Sequence, residues 1–138
     1  MKILMDQWRT FIKESENKDS KVVAKAIIYN DKNKILALIS EDHNDLDIPG
    51  GHIHEDEDLV VGLKREIKEE TALVVRNPKK LSYVYDNKIH FYKIKTEFEN
   101  IKLSKEHDNY KLITAKEIDQ LSKKFQPAAK EVVELWDS

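Results

Sequence analysis

The break at Pro49-Gly50-Gly51 does most to constrain how this chain folds. Proline carries no amide hydrogen and glycine loses the most backbone freedom on ordering, so the triplet is expected to break any regular element. Before it stand two runs rich in β-branched and aliphatic residues, "KVVAKAIIYN" and "KILALIS", separated by "DKN". Such runs around a short polar turn predict two strands of a hairpin. After it, "DLVVGLKREIKEET" places Leu59, Leu63 and Ile67 four residues apart, the period of a helix with one apolar face. Asp56 or Asp58 is expected to cap its start.

The remaining elements follow the same logic. "MDQWRTFIKE" carries Met5, Trp8, Phe11 and Ile12 at helical spacing and predicts a short amphipathic helix. "LSYVY" and "KIHFYKIKTEF" predict two more strands around an Asp86-Asn87 turn. "TAKEIDQLS" opens with a Thr114 to Glu117 capping box, and "PAAKEVVELW" starts with Pro127 at a first helical position. The order α, β, β, loop, α, β, β, α, α lacks regular βαβ units. It predicts an α+β fold, a mixed sheet packed between helices. At 138 residues, with no repeat or linker, the chain is expected to form one domain over 1–138.

Composition excludes several functions. A formal net charge of -2 provides no basic field, so nucleic acid is not an expected partner. The absence of cysteine removes disulfides and thiolate zinc sites. No apolar run approaches the length of a membrane span, and "MKILMDQWRTFIKES" is a poor signal peptide, so the expectation is a cytoplasmic protein.

On a helical wheel with Glu66 at zero, Glu70 lies about 40° to one side and Glu69 about 60° to the other. Leu59, Val60, Leu63 and Ile67 fill the adjoining sector. Like charges four apart destabilise a helix slightly, so Glu66 and Glu70 are unfavourable neighbours unless a cation lies between them. On its own the ridge reads as a solvated face, and Lys64 and Lys68 support that. The loop before it changes the balance. Glycines at 50 and 51 let backbone carbonyls approach a ligand, and carboxylate plus carbonyl oxygens suit a hard divalent ion, Mg2+ or Mn2+. Gly62, four residues before Glu66, also implies something close by that needs the room, since a mid-helix glycine costs roughly 1 kcal/mol.

The stretch from Gly51 to Leu73 resembles the Nudix box, G-x5-E-x7-R-E-U-x-E-E-x-G-U, where U is a bulky aliphatic residue. Gly51, Glu57, Arg65, Glu66, Ile67, Glu69, Glu70 and Leu73 are all in register. Ala72 stands where the motif has the glycine that closes the helix, so a tighter or shifted turn is expected there. "KEHDNYKLITAKEI" is similar to the family's late Glu-His segment, with Leu112 where a tryptophan is usual. The resemblance implies an α/β/α sandwich and hydrolysis of a nucleoside diphosphate linked to another moiety. By position it implies that Glu66, Glu69 and Glu70 hold Mg2+ (or Mn2+), with the Gly50 carbonyl as a further ligand. By the same resemblance Glu66 would serve as metal ligand, general base or both. Arg65 would orient the glutamates and Glu57 would hold Arg65. Glu106 is the candidate for an extra carboxylate that some members supply from a late loop.

The resemblance leaves the substrate open. A small MutT-like nucleoside triphosphate pyrophosphohydrolase fits the chain length. A dinucleoside polyphosphate or nucleotide-sugar hydrolase, and a Nudix domain that only binds a nucleotide, are the alternatives. Many ADP-ribose hydrolases of the family carry a marker proline after the box; here none lies between Pro78 and Pro127, which speaks weakly against ADP-ribose, and Tyr92 matches the tyrosine of dinucleoside polyphosphate hydrolases loosely. Many members are dimers, so a homodimer is compatible with the resemblance.

Other polar and aromatic residues have simpler readings. His52 and His54 would share a strand face, yet without cysteine a zinc site needs more ligands, so they are expected at the site entrance or surface. Tyr83, Tyr85, Phe91 and Tyr92 could stack a base, but aromatics at strand spacing more often fill a core. Trp8 and Trp136 are expected to pack, and Lys79-Lys80 to form an exposed turn.

Overall fold

The computed structural model describes residues 22–40, 44–98, 101–103 and 109–136. The helix expected around Trp8, and Glu106, lie outside the described residues.

Three strands precede the first described helix: β1 (Val23–Tyr29), β2 (Ile35–Ile39) and β3 (Gly50–His52). Helix α1 spans Leu59–Thr71 and leads to β4 (Lys79–Tyr85), β5 (Ile89–Lys95) and β6 (Asn109–Ile113). A 3-10 helix over Ala115–Gln120 and α2 (Gln126–Trp136) complete the described chain. The sheet runs β4-β5-β1-β2-β6, with β3 added beside β1. β1 and β5 are parallel and the other pairs antiparallel, so the sheet is mixed.

Both faces of this sheet are covered, which is why β1 and β2 read as nearly unbroken apolar runs. Ala24, Ala26, Ile28 and Leu36 face Leu63 and Ile67 of α1. Ile27, Ile35, Ala37 and Phe91 face Phe125, Ala128, Ala129 and Val132 around α2. Alternation along a strand thus feeds two cores from one segment. A fully buried aliphatic side chain contributes about 1.5–3 kcal/mol, and Ile67, wholly buried, anchors the α1 layer.

The turns follow their residue types. The Asn30 side chain accepts hydrogen bonds from the Lys32 and Lys34 amides, both at 3.0 Å, and Asn33 takes φ 58°. Asp86 and Asn87 both have positive φ, the geometry of a tight hairpin turn.

Four expectations need correction. Pro49-Gly50-Gly51 does not end all regular structure, because Gly50–His52 pairs with β1. Gly50 makes this possible with φ 137°, and a Cβ there would lie 2.1 Å from the Ala24 carbonyl oxygen. Segment Asn109–Ile113 is a strand, stabilised by full register against β2. The capping box at Thr114 and Glu117 is present, but it starts a 3-10 helix rather than an α-helix. Lys79 and Lys80 are exposed yet open β4 by pairing with Lys93 and Tyr92.

Candidate active site

Helix α1 is fixed at both ends. Asp58 caps its start by accepting from the Val60 amide at 3.1 Å. At the other end Ala72 adopts a left-handed conformation, φ 65°, and its amide donates to the Lys68 carbonyl at 2.9 Å. Gly62 answers the question of room: a Cβ there would meet the Ile53 side chain at 2.7 Å and a Glu57 carboxylate oxygen at 2.8 Å. Packed neighbours, not open space, require a glycine at this position.

Glu57 is brought back over the helix to Arg65. Arg65 Nε donates to Glu57 Oε2 at 2.8 Å and Nη2 donates to Oε1 at 3.0 Å, a bidentate pair. Nη2 also donates to the His52 carbonyl at 3.2 Å, and Nη1 donates to Glu66 Oε1 at 3.1 Å. Nη1 further reaches both Glu69 oxygens at 3.2 and 3.3 Å. One guanidinium thus ties the end of β3, the loop before α1 and the acidic ridge together. The hydrogen bonds from Arg65, and then the His54 amide, hold the Glu57 carboxyl down to about 2. The Glu57 partnership in turn pushes the Arg65 guanidinium up.

The three ridge glutamates occupy different environments. Glu69 is exposed, Glu66 is half-buried and Glu70 is only 5% exposed. Glu70 Oε1 accepts from the Gly50 amide at 2.7 Å. Burial pushes its carboxyl up to about 7, against the opposing effects of the Lys25 charge and the Gly50 hydrogen bond. Glu66 lies against Gly51 so closely that a Cβ on Gly51 would stand 2.5 Å from Glu66 Oε2. The two glycines therefore deliver backbone to two carboxylates. In the β1–β3 ladder, Ala26 bonds Pro49 and Ile53 bonds Val22, so Gly50 falls at a non-bonded pair. Its amide accordingly turns to the helix, where it meets Glu70.

These groups border a cleft of about 700 Å3 whose lining includes Lys25, Asp47, Gly50, Gly51, Glu66 and Glu70. No sequence motif marks Lys25 or Asp47, nor Lys124 and Phe125, which also line the cleft. Lys25 Nζ donates to Asp47 Oδ1 and to the Ile48 carbonyl, each at 3.0 Å. A lone lysine within "VVAKAII" was the available signal, since a charge in a buried strand needs a partner.

Gly50, Glu57, Arg65, Glu66, Glu69 and Glu70 thus gather around one loop–helix unit. His52 lines the same cleft, whereas His54 lies in a separate pocket with Glu57 and His90, so the two histidines do not share a site. Tyr83 stacks on Phe91 at 5.5 Å between ring centroids, and Tyr92 is buried, so these rings serve the core. Tyr85 is exposed. Trp136 packs on Tyr29 at 5.5 Å.

The cleft offers carboxylate oxygens from Glu66 and Glu70 beside the Gly50 backbone, with His52 also on its lining. That chemistry fits Mg2+ or Mn2+. Among the described residues no three acidic or histidine side chains converge as a ready cage. Arg65 holds the Glu66 and Glu69 carboxylates in ion pairs at 3.1 and 3.2 Å.

A family model described as NUDIX domain matches residues 19–136. No curated protein matches the chain in sequence. Among solved structures, the MutT protein from Methanosarcina mazei Go1 is similar, with TM-score 0.66, 22% identity, and coverage of 85% of this chain and 95% of that one. A C. elegans Ap4A hydrolase, solved as a binary complex, has TM-score 0.68 at 19% identity, covering 83% and 98%. The NUDIX domain of Shewanella oneidensis NrtR, complexed with ADP ribose, has TM-score 0.69 at 19% identity, covering 83% and 87%. At such identities the likeness is one of fold.

Proposed function

This chain belongs to the NUDIX family and is a Nudix hydrolase; from that premise we propose that it cleaves a diphosphate linkage in a nucleotide with Mg2+ or Mn2+. The observation that carries this is the Arg65 hub, which joins Glu57 and Glu66 beside the Gly50-Gly51 backbone at the cleft.

In this reading Glu66, Glu69, Glu70 and the Gly50 carbonyl are the metal ligands, and Glu106 is a further candidate. The ion, when bound, offsets diphosphate charge and eases deprotonation of water. Arg65 holds Glu66 in place, and Glu57 holds Arg65, so the guanidinium acts by position. Glu66, on the cleft wall, is the group that takes the proton of the attacking water. Gly51 supports this role because any larger residue would displace the Glu66 carboxylate. Lys124, which also lines the cleft, adds positive charge there, which favours the entry of an anionic substrate.

For the substrate we put nucleoside triphosphates first, with dinucleoside polyphosphates and nucleotide sugars as alternatives. The solved relatives support a diphosphate-containing nucleotide, since their names span MutT, an Ap4A hydrolase and a domain complexed with ADP ribose. The test is a panel of these nucleotides with Mg2+, followed for phosphate and pyrophosphate release. Pyrophosphate release from a nucleoside triphosphate is expected. Binding without turnover anywhere on the panel would overturn the proposed cleavage of these nucleotides.

A further inference from the structure

We infer that Lys25 is a positioning residue for the metal-binding loop, holding Asp47 and Ile48 so that Gly50 and Glu70 meet in binding geometry. This inference rests on the proposed metal role of Gly50 and Glu70.

The contacts form a continuous path. Lys25 stands opposite Gly50 in the β1–β3 ladder. Its side chain crosses to the loop before β3, where Nζ donates to Asp47 Oδ1 and the Ile48 carbonyl, both at 3.0 Å. Asp47 Oδ1 also accepts from the Ile48 amide at 2.8 Å, so both polar groups of one residue end on the same pair. The next residue, Pro49, offers its carbonyl to the Ala26 amide at 2.8 Å. Then comes Gly50, whose amide donates to Glu70.

The Lys25 pair is well placed to resist loop movement. Its side chain is 13% exposed and Asp47's is 34% exposed, so water competes only partly for the bonds. Lys25 Nζ also lies 5.6 Å from the centroid of the Phe125 ring, which confines the ammonium from the α2 side. Backbone bonds already hold Asp47 to Leu38 and Leu46 to Gln120 and Ser122, and Lys25 carries that anchorage on to Ile48, two residues before Gly50. Without Lys25, the Ile48 carbonyl and Asp47 carboxylate lose their common donor, and Gly50 is held by fewer fixed points. Partners one step removed from metal ligands commonly change affinity by about 10–100-fold.

The deciding experiment measures Mn2+ binding without substrate, by the electron paramagnetic resonance signal of free Mn2+. Lys25→Met keeps the aliphatic stem and removes the donor. It is expected to weaken Mn2+ binding by about tenfold or more. The Mg2+ concentration giving half-maximal hydrolysis should rise in parallel, while turnover at saturating Mg2+ largely recovers. A purely structural role would lower turnover at every Mg2+ concentration. Asp47→Ala, which removes the acceptor, should act in the same direction and serves if Lys25→Met does not fold. Wild-type Mn2+ affinity in either folded variant overturns the inference. Wild-type protein that neither binds Mn2+ nor needs a divalent ion would defeat the proposed function itself, and that is read in the wild-type arm alone.

Discussion

Arg65 grips Glu57 through two hydrogen bonds, at 2.8 and 3.0 Å, across eight residues of chain. The pair fastens the loop that follows β3 to the middle of α1. The same guanidinium bonds Glu66, so any slack at Glu57 is passed to the cleft.

Lysine cannot reproduce this fork, although it keeps the charge. Arg65→Lys is therefore expected to lower turnover by about tenfold or more, within the range seen when groups that orient metal ligands are lost. Glu57→Gln should show a related defect. The double variant should lose less than the product of the single losses, because residues that share one interaction are not additive. A double-mutant cycle on turnover rate checks this. Strict additivity, or a neutral Arg65→Lys, would show that the pair does not position Glu66.

Hydrolysis should depend on both the divalent ion and the Glu66 carboxylate. EDTA is expected to abolish turnover and excess Mg2+ to restore it. Glu66→Gln should cut turnover by about 10²-fold or more, the usual loss for a general base or metal-holding group. Its circular dichroism should match wild type, because neutralising one member of a like-charged ridge relieves repulsion. Full activity in metal-free buffer, or a wild-type rate for Glu66→Gln, would contradict the roles proposed here.

Much of this architecture was legible in the sequence, for identifiable reasons. The β1 and β2 strands, α1 and the Asp86-Asn87 turn declared themselves because their periods and turn residues are local properties. The α1 cap at Asp58 was readable for the same reason. What stayed hidden depends on distant contacts. β3 exists only because β1 accepts Gly50–His52 as a partner, and β6 only because β2 has a free edge. The burial of Glu70 could have been read from the wheel, which puts it about 20° from Leu63, inside the apolar sector. Treating the three glutamates as one ridge concealed that difference. Lys25 and Asp47 lie 22 residues apart and no local pattern joins them.

Ala72 is expected to be a point of avoidable strain. It closes α1 with φ 65°, where a β-carbon crowds the following carbonyl. A left-handed residue other than glycine is disfavoured by roughly 1–2 kcal/mol, while glycine adds back some unfolded-state entropy. Ala72→Gly should therefore stabilise the protein by up to about 1 kcal/mol and raise Tm by roughly 3 °C. Thermal unfolding at fixed pH and salt measures it. A lower Tm would mean that the turn is held by its surroundings strongly enough to make the helix end insensitive to this strain.

Glu70 gives stability a pH dependence of defined sign. Its carboxyl titrates near 4.5 in the unfolded chain and at about 7 in the folded one, chiefly because burial disfavours the charged form. Between these values the folded state holds the proton more tightly than the unfolded state. The stabilisation is complete below about 4.5 and is lost as pH rises through about 7. The difference is on the order of 3 kcal/mol for so buried a group. In metal-free buffer, Tm should then fall as pH is raised across this window. Glu70→Gln keeps an acceptor for the Gly50 amide and has no charge to bury, so it should lack this component of the slope and be more stable than wild type above pH 7. Adding Mg2+ to the wild type should flatten the slope, since a cation at the carboxylate replaces the proton. Thermal unfolding of both proteins across this pH range, with and without Mg2+, is the measurement. Identical slopes for wild type and Glu70→Gln would mean that Glu70 does not titrate between its unfolded value and about 7 in the folded protein.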